Sequence, residues 1–307
     1  MSKLDAIGFG ALNVDKLFKV NRIAAAEEES YVFDHSEACG GSAANTMVAL
    51  ARLGCKVGFV GKVASDAEGR MLLQDFRKEA VDTRGVTVAT TGRSGKVMGF
   101  VGKGGKRALY VDPGVNDKIK LDEIDCAYAS STKFLHLSSF AGKQSFETQK
   151  GLVERLPAKV KVSFDPGALY ARLGLTKLRP IINKTSVMMP NAGEIALLTG
   201  KTNYKAGARL LIDEGVEVLA VKLGNKGCYV VGRDESHLVE PFKVKVVDTT
   251  GAGDAFNAGF IFGLLSGKNI KEAGKIGNFV ASRSITAMGA RSGLPTLDEL
   301  KKFLSTS

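Results

Sequence analysis

Apolar residues form short, almost uninterrupted runs that alternate with segments of helical periodicity. Runs such as "LDAIGFG", "KVGFVGKV", "KFLHLSSF" and "EVLAVKLG" have the length and composition of buried strands. Between them, segments such as "SAANTMVALARLG", "EGRMLLQDFRKEAV" and "YKAGARLLIDEGV" carry apolar residues at helical spacing. The alternation of strands and helices predicts an α/β fold with a mostly parallel central sheet and helices on both faces.

Two segments interrupt this alternation. Residues 12–36 and 92–114 alternate between polar and apolar side chains, as in "GKVMGFVGKGGKRALYV", which is typical of antiparallel strands. A glycine-rich turn is expected near Gly104 and Gly105. We predict that the two segments form one small β-sheet, set apart from the main α/β domain.

Composition and charge exclude several classes of protein. The 307 residues are 44% hydrophobic and 24% charged, which is typical of a soluble globular protein. The chain has no apolar run of about 18 residues, so we expect no membrane span, and its N-terminal residues carry no signal-peptide pattern. The four cysteines and three histidines are scattered, which indicates reduced thiols in a cytoplasmic protein and no metal cluster. The net charge of +11 is spread along the chain without a basic run, so nucleic-acid binding is not expected.

The stretch "DTTGAGDAF", which begins at Asp248, follows the β-branched run "FKVKVV" and precedes an apolar helical segment. We therefore expect a strand, a tight turn at Gly251, Ala252 and Gly253, and then a helix. Amide N–H groups at a helix start have no partner inside the helix and attract anions, phosphate above all. Asp254 would repel a phosphate. It is therefore either a helix cap or a general base that takes a proton from a hydroxyl beside an anion hole.

Two other nucleotide-binding motifs do not account for this chain. Gly8 and Gly10 follow the first strand as in a dinucleotide-binding fingerprint, but Asn13 stands where the third glycine belongs. The acidic residue expected at the end of the next strand is also missing. The P-loop pattern GxxxxGK[ST] occurs nowhere. Phosphate chemistry in this chain would therefore use a different device.

Several motifs together resemble those of the ribokinase-like carbohydrate kinases, the PfkB family. "DTTGAGDAFNAGFI" matches the C-terminal signature of that family throughout, and "CGGSAANTMVALARLG" is similar to its N-terminal signature. The N-terminal part departs at Met47, where a small residue is usual, and at Ala64, where glycine is usual. "PNAGE", "VKLGNKG" and "GARSGLPTLDEL" follow in the order of the family, so the resemblance covers almost the whole chain.

The resemblance implies a three-layer ribokinase-like fold, in which a small β-sheet forms a lid over the substrate. The lid would take residues 12–36 and 92–114, and the large α/β domain would take residues 1–11, 37–91 and 115–307. Members of the family often pair through the lid, so a homodimer is expected.

The resemblance also implies an activity, the transfer of the γ-phosphoryl group of ATP to a hydroxyl in the presence of Mg²⁺. Asp254 looks like the general base, and Gly251, Ala252 and Gly253 look like the anion hole. The positions that match acceptor-binding residues are Asn13, Asp15, Gly41 and Asn45. The positions that match nucleotide-binding residues are Asn191, Glu194, Lys222, Gly224, Gly227 and Asn278, with Glu194 organising Mg²⁺ through water. The positions that match a monovalent-cation site, for K⁺, are Asp248, Thr250, Ser284, Ala287, Gly289 and Gly293.

Structural alternatives stay open for two of these positions. Asn191 with Glu194 three residues later is also the pattern of a capping box at a helix start. Asn278 would equally suit a solvent-facing position on its helix. The three-dimensional arrangement has to decide between these interpretations.

The sequence leaves the acceptor undetermined. Ser42 stands where ribokinases and some sugar-phosphate kinases have lysine, and "FDPGALYAR" lacks the Asp-x-Asn-x-Arg pattern of many fructokinases. The small-sheet segments carry Glu27, Glu28 and Glu29, which would repel a phosphorylated sugar, and basic residues that would attract one: Arg93, Lys103, Lys106 and Arg107. We favour a nucleoside or an unphosphorylated pentose. The alternatives are a sugar-phosphate kinase and a non-catalytic regulator that binds a sugar or nucleotide, and ADP stays open as the donor.

Overall fold

The computed structural model describes residues 4–103 and 106–305 of the chain. The strands are β1 (Leu4–Phe9), β2 (Asn13–Val20), β3 (Val32–Gly40), β4 (Val57–Ala64), β5 (Val81–Ala89), β6 (Gly95–Val101), β7 (Arg107–Asp112), β8 (Thr132–Ser138), β9 (Lys161–Asp165), β10 (Thr185–Met188), β11 (Val218–Lys222), β12 (Cys228–Val231) and β13 (Ser236–Val239). The helices are α1 (Ser42–Arg52), α2 (Ala67–Lys78), α3 (Cys126–Ala129), α4 (Lys143–Glu154), α5 (Gly167–Ala171), α6 (Leu175–Ile182), α7 (Ala192–Thr199), α8 (Tyr204–Asp213), α9 (Ala252–Leu265), α10 (Ile270–Ser284) and α11 (Leu297–Ser305).

The larger of the two sheets has nine strands in the order β13-β12-β11-β10-β9-β8-β1-β4-β5. The pairs from β11 to β5 are parallel, and β12 and β13 add an antiparallel edge. The prediction of a mostly parallel sheet is thus confirmed. Because the carboxyl ends of parallel strands meet at one edge, that edge is where ligands bind in such folds.

Helices cover both faces of the large sheet, and each face buries its own core. One core packs α1, α2, α9, α10 and α11 against the sheet, and the other packs α3 to α8 against the opposite face. This explains why the central strands read as continuous apolar runs, since β4 is buried at every position. Within residues 4–103 and 106–305, no helix combines the length and apolar character that crossing a membrane requires.

The small sheet has four strands in the order β3-β2-β6-β7. β2 with β3 and β6 with β7 are antiparallel pairs, as the sequence predicts, but β2 and β6 run parallel. The reason is that β2 and β6 each open a hairpin that leaves the large domain in the same direction, with Asn13 opposite Gly95. β3 continues to Gly40, beyond the predicted limit at residue 36. The turn predicted at Gly104 and Gly105 lies outside the described residues.

The strand predicted for "FKVKVV" is wrong. Residues 242–247 belong to neither sheet, and the ring of Phe242 instead packs 6.1 Å from Phe279 of α10 and 5.3 Å from Phe303 of α11. Pro241, which has no N–H to donate to a strand partner, is the second residue after β13, so the chain leaves the sheet edge and crosses the helices.

The helix predicted for "EGRMLLQDFRKEAV" ends three residues early. α2 stops at Lys78, because Ala80 takes a left-handed φ of 56°. Val81 is buried and pairs with Val57 as the first residue of β5. Val81, whose apolar side chain continues the helical pattern in the sequence, thus belongs to the sheet.

Candidate active site

A cavity of about 730 Å³ opens at the carboxyl-terminal edge of the large sheet, beside the start of α9. Ser138, Asp165 and Lys222, each the last residue of a parallel strand, contribute to its wall. This is the edge at which open α/β sheets bind ligands. The predicted site residues that line the cavity are Asn191, Glu194, Lys222, Gly224, Gly227, Ala252, Gly253, Asp254 and Asn278.

The turn before α9 is built by its two glycines. Gly251 has a φ of 75°, and a Cβ on it would lie 2.6 Å from the Cβ of Ala290. The amide of Ala252 donates to the carbonyl of Thr249 at 3.2 Å, so one of the predicted anion-hole amides is engaged within the turn. The amides of Gly253 and Asp254 have no acceptor in the described part of the chain. They are the free donors at this helix start.

The Asp254 carboxylate does not cap its helix. It accepts hydrogen bonds from two side chains of α1, the hydroxyl of Ser42 at 2.6 Å and the amide nitrogen of Asn45 at 2.9 Å. Burial raises the pKa of Asp254 to about 6, the charge of Asp165 acts in the same direction, and the two hydrogen bonds and Lys222 act against it. A carboxyl group of this basicity can take a proton near neutral pH.

Lys222 brings a buried positive charge to the same turn. Its ammonium donates to Asp165 at 2.6 Å and to the side-chain oxygen of Asn257 at 3.3 Å, and Asn257 donates to Asp165 at 2.6 Å. Burial alone would lower the pKa of Lys222, but the charges of Asp165 and Glu194 outweigh it and the pKa is raised. A Cβ on Gly253 would lie 3.4 Å from the ammonium nitrogen. A fixed cation therefore lies beside Gly253 in the α9 turn.

The capping box predicted at Asn191 is present. The Asn191 side chain accepts from the amide of Glu194, and a Glu194 carboxylate oxygen accepts from the amide of Asn191, each at 2.8 Å. Burial and the charge of Asp165 raise the pKa of Glu194, although Lys222 and Asn191 oppose the shift. Residues 4–103 and 106–305 hold no cluster of three or more His, Cys, Asp or Glu suited to a metal ion. One carboxylate in this cavity fits Mg²⁺, which retains water and is bound largely through substrate phosphates.

Gly224, Gly227 and Asn278 shape the far wall of the cavity. Both glycines have left-handed φ values, 61° and 80°, and a Cβ on Gly227 would lie 2.1 Å from the carbonyl oxygen of Val239. Asn278 is 7% exposed and donates to the carbonyls of Val239 at 3.0 Å and Glu240 at 2.9 Å. The solvent-facing alternative for Asn278 is therefore wrong, and its amide holds the chain that leaves β13.

The predicted acceptor residues lie on the side of Asp254 that faces the small sheet. Asn13 and Asp15 point to the same face of β2, and the Asn13 side-chain oxygen accepts from buried Asn116 at 3.0 Å. Burial raises the pKa of Asp15 to about 6, against the charge of Arg291. A Cβ on Gly40 would lie 2.3 Å from the Asp15 carboxylate, so the Asp15 side chain packs directly against the backbone of Gly40.

Gly41 and Asn45 occupy the junction between β3 and α1. Gly41 has a φ of 108°, and a Cβ on it would lie 2.2 Å from the carbonyl oxygen of Ala11. The Asn45 amide already contacts two side chains, because its oxygen accepts from Arg291 at 2.8 Å and its nitrogen donates to Asp254. Asn45 thus connects the acceptor side of the site to the candidate base.

The residues predicted for a monovalent cation meet where two loops touch. One carboxylate oxygen of Asp248 accepts from the amide of Thr250 at 3.0 Å, and the other accepts from the amide of Gly289 at 2.8 Å. A Cβ on Gly293 would lie 2.5 Å from the carbonyl oxygen of Ser284. Ala287 lies in the second loop, between α10 and Gly289. The Asp248 side chain thus holds the two loops together. Backbone carbonyls of these loops would supply the ligands of a bound cation.

Four residues of the site were not predicted in the positions that they take. Asp165 and Asn257 bind Lys222, and Ser42 and Arg291 act on Asp254 directly or through Asn45. Asp165 carried a usable signal, since an acid that ends a buried parallel strand lies at the ligand edge. Asn257 follows Asp254 by three residues, so both point to one side of α9. Arg291 lies in the stretch "GARSGLPTLDEL" noted above, but its role could not be predicted, because its partners are distant in sequence.

Comparisons with known proteins identify the family and the fold of this chain. A sequence model of the pfkB family of carbohydrate kinases matches residues 4–297. A protein of Archaeoglobus fulgidus, described as an uncharacterized sugar kinase, is 48% identical over 249 residues, which cover 80% of this chain and 98% of that protein. An ATP-dependent ribose-1-phosphate kinase of Halopiger xanaduensis is 32% identical over 297 residues, which cover 96% of each chain. The crystal structure of a ribokinase from Thermotoga maritima has a TM-score of 0.87 at 28% identity and covers 98% of this chain and 99% of that chain, which confirms the predicted ribokinase-like fold. The chain belongs to the pfkB family of carbohydrate kinases.

Proposed function

We propose that this chain transfers the γ-phosphoryl group of ATP to a hydroxyl of a nucleoside or an unphosphorylated pentose, with Asp254 as the general base. Membership of the family supports the general reaction, the ATP-dependent phosphorylation of a sugar. One observation carries the mechanism: the Asp254 carboxyl group lies on the same turn as two amides that have no acceptor in the described residues. A base beside an anion-binding site is what phosphoryl transfer to a hydroxyl requires.

In this mechanism the acceptor hydroxyl lies against Asp254. The carboxylate takes the hydroxyl proton, and the hydroxyl oxygen forms a bond to the γ-phosphorus. The bond between that phosphorus and the oxygen that bridges to the β-phosphate breaks, and ADP leaves with the bonding electrons. Ser42 and Asn45 hold the carboxylate in one orientation, which supports the positioning on which this reaction chiefly depends.

Charge on the transferred group would be stabilised from two sides. The amides of Gly253 and Asp254 face it from the helix start, and the Lys222 ammonium faces it from the end of β11. Mg²⁺ that arrives with the nucleotide would neutralise phosphate charge, and Glu194 is the residue that we assign to it, through water.

The nucleotide would lie along the rest of the cavity. Gly224 and Gly227 expose backbone to the phosphates, and Asn191 closes the opposite side. Phe242 and Val244 belong to residues 242–247, which follow β13 and cross the helices. They give the cavity an apolar wall suited to adenine. Asn278 supports that wall from beneath through its bonds to the chain after β13.

We assign Asn13, Asp15 and Gly41 to the acceptor hydroxyls, with the remaining donor capacity of Asn45 beside them. A carboxylate accepts from two hydroxyls, an amide both donates and accepts, and glycine lets a sugar approach the backbone. The Asp15 carboxylate has no hydrogen-bond partner within residues 4–103 and 106–305 and is half-buried, so it has acceptor capacity to offer a ligand.

Charge pairing in the small sheet favours an acceptor without a phosphate group. Lys16 and Lys96 both pair with Glu68 of α2, at 3.1 and 2.7 Å, and Arg93 pairs with Asp112 at 2.5 Å. Each of these three cations would have to break an ion pair to bind a phosphate. The second candidate is a sugar-phosphate kinase, which the relative named as a ribose-1-phosphate kinase favours.

We also assign K⁺ to the loops that Asp248 and Gly289 join, and a homodimer to the small sheet. The two edges of that sheet carry large exposed apolar side chains, with Tyr31 at 86% and Phe33 at 63% exposure at the β3 edge and Tyr110 at 58% at the β7 edge. Patches of this kind mark association surfaces.

A turnover panel tests the proposed function. ADP formation would be followed with ATP and Mg²⁺ and with ribose, other pentoses, purine and pyrimidine nucleosides, or ribose-1-phosphate as acceptor, in K⁺ and again in choline. We expect acceptor-dependent turnover with an unphosphorylated acceptor, and a higher kcat in K⁺. Turnover with ribose-1-phosphate alone would establish the second candidate. Tight binding of sugar or nucleotide without any turnover would identify a non-catalytic regulator.

A further inference from the structure

Arg291 is the most heavily buried guanidinium near the candidate base. It lies in the loop between α10 and α11, and its side chain is 12% exposed. Its Nε donates to the side-chain oxygen of Asn45 at 2.8 Å, and its Nη1 forms an ion pair with Asp75 of α2. The remaining nitrogen, Nη2, is buried without a partner in the described residues. The side chain therefore joins α1, α2 and the loop at one point.

The contact with Arg291 decides how the Asn45 amide is oriented. A guanidinium only donates hydrogen bonds, so the Asn45 oxygen must face it. The Asn45 nitrogen then faces the other way and donates to the Asp254 carboxylate at 2.9 Å. If the amide turned over, its NH₂ group would oppose the guanidinium and its oxygen would oppose the carboxylate. Two attractive contacts would become two repulsive ones, so the Arg291 contact locks the donor toward Asp254.

The loop that carries Arg291 is itself anchored next to the α9 turn. The Arg291 carbonyl accepts from Arg52 of α1 at 2.7 Å, and the amide of Gly289 donates to Asp248 at 2.8 Å. Ala290 packs against Gly251, which begins the turn. These contacts hold the guanidinium at a fixed distance from α9, so Arg291 can position Asn45 without touching Asp254.

We propose that Arg291 is a positioning residue for phosphoryl transfer, which fixes the Asn45 amide so that it orients the Asp254 carboxylate and keeps it ionised. This inference rests on the proposed role of Asp254 as the base. The charged groups near Arg291 are Asp75 and Glu79 at the end of α2, Arg52 on α1 and Asp15 on β2. The groups that face Asp254 are Ser42 and Asn45 on α1, Asp165 at the end of β9 and Lys222 at the end of β11.

A double-mutant cycle tests the proposal. Arg291→Met should lower kcat roughly tenfold to a hundredfold, the range spanned by loss of one hydrogen bond to a charged group. The KM for ATP should stay within about threefold, since the nucleotide does not contact Arg291 in this account. The acid limb of the kcat profile should move to higher pH, because the carboxylate loses a donor that favours its charged form. In an Asn45→Ala background, Arg291→Met should have little further effect on kcat.

Arg291→Lys separates positioning from folding. Lysine keeps a positive charge opposite Asp75 but cannot reproduce the two-sided fork of arginine, so this variant should melt near the parent temperature and still lose kcat. Arg179→Met is the matched control, because it removes an arginine paired with Glu214 far from the site and should leave kcat unchanged. Equal losses from Arg291→Met in both backgrounds, or a raised acceptor KM with an unchanged kcat profile, would overturn the proposal. Failure of the base itself shows differently, as normal kcat in Asp254→Asn.

Discussion

Asp254 and Asp15 are two carboxyl groups of the candidate site whose pKa values burial raises to about 6. As a base, Asp254 acts in its charged form, so kcat should rise with pH through a midpoint near 6 and then level off. The ratio kcat/KM for the acceptor should fall more steeply on the acid side, because protonation of Asp15 also removes a hydroxyl acceptor. A pH profile of both constants measures this, and a level kcat on both sides of the midpoint would contradict it.

Lys222 and Asp165 form a buried ion pair, and two variants can separate its contribution to stability from its contribution to activity. Their side chains are 14% and 8% exposed. Lys222→Met leaves Asp165 as an unpaired buried charge, which should lower the free energy of unfolding by about 3–5 kcal/mol and abolish most of kcat. Adding Asp165→Asn removes that charge, so the double variant should regain stability and stay inactive. Melting temperatures and kcat of the two variants measure this, and recovery of kcat along with stability would show that Lys222 only holds the fold.

At this scale the sequence predicted the residues of the motifs better than their contacts. Asp254 was singled out because it follows a glycine turn at a helix start, and Lys222 because its stretch resembles a nucleotide-binding loop of the family. Ser42 and Arg291 were not placed, since a hydrogen bond to a residue 212 positions away, or 246 for Arg291 and Asn45, leaves no periodic trace in the chain. Asn45 was predicted to bind the acceptor, and its observed partners add a contact to Asp254.

Among the elements, the small sheet is the part that we expect to move. We propose that β2, β3, β6 and β7 close over the acceptor and exclude water, which limits wasteful hydrolysis of ATP. Hydrogen exchange in residues 13–40 and 95–101 should therefore slow when the acceptor binds, with ATP alone as the control. Slowing confined to the large sheet would mean that the lid lies elsewhere.

The elements also show where sequence patterns stop being sufficient. The long apolar strands and amphipathic helices were predictable, because burial of one or both faces requires apolar residues at a regular spacing along the sequence. "FKVKVV" has the composition of a strand, yet it crosses the helices. Pro241 cannot continue the strand pairing, and Phe242 packs against the rings of Phe279 and Phe303. The direction of β6 beside β2 was not predictable, since it depends on where each hairpin leaves the large domain.

At the level of the whole molecule, strand order assembles the site from distant parts of the chain. Asp165, Lys222 and Asp254 come from the ends of β9 and β11 and the start of α9, and α1 brings Asn45 to the same point. The candidate base and its hydrogen-bond partners thus all come from one chain.

The proposed dimer makes a separate prediction. The parent protein should elute with twice the mass of one chain in light scattering, and joint substitution of Phe33→Lys and Tyr110→Lys should convert it to a monomer, because charges would enter an apolar contact. Leu238→Lys on β13, which is 57% exposed compared with 63% and 58% for the two lid residues, is the matched control and should leave the mass unchanged. A monomeric parent protein would contradict the pairing.

Asp254→Asn tests the central claim most directly. The substitution keeps the shape of the side chain and an oxygen that can accept from Ser42 or Asn45, and it removes a buried charge, so the protein should melt at or above the parent temperature and still bind ATP. Its kcat should fall on the order of 10²–10⁴-fold, the usual contribution of a general base. Asp213→Asn, an exposed position on α8, controls for loss of a carboxylate. We therefore predict a stable, nucleotide-binding and inactive variant, and a kcat within a few-fold of the parent would show that Asp254 is not the base.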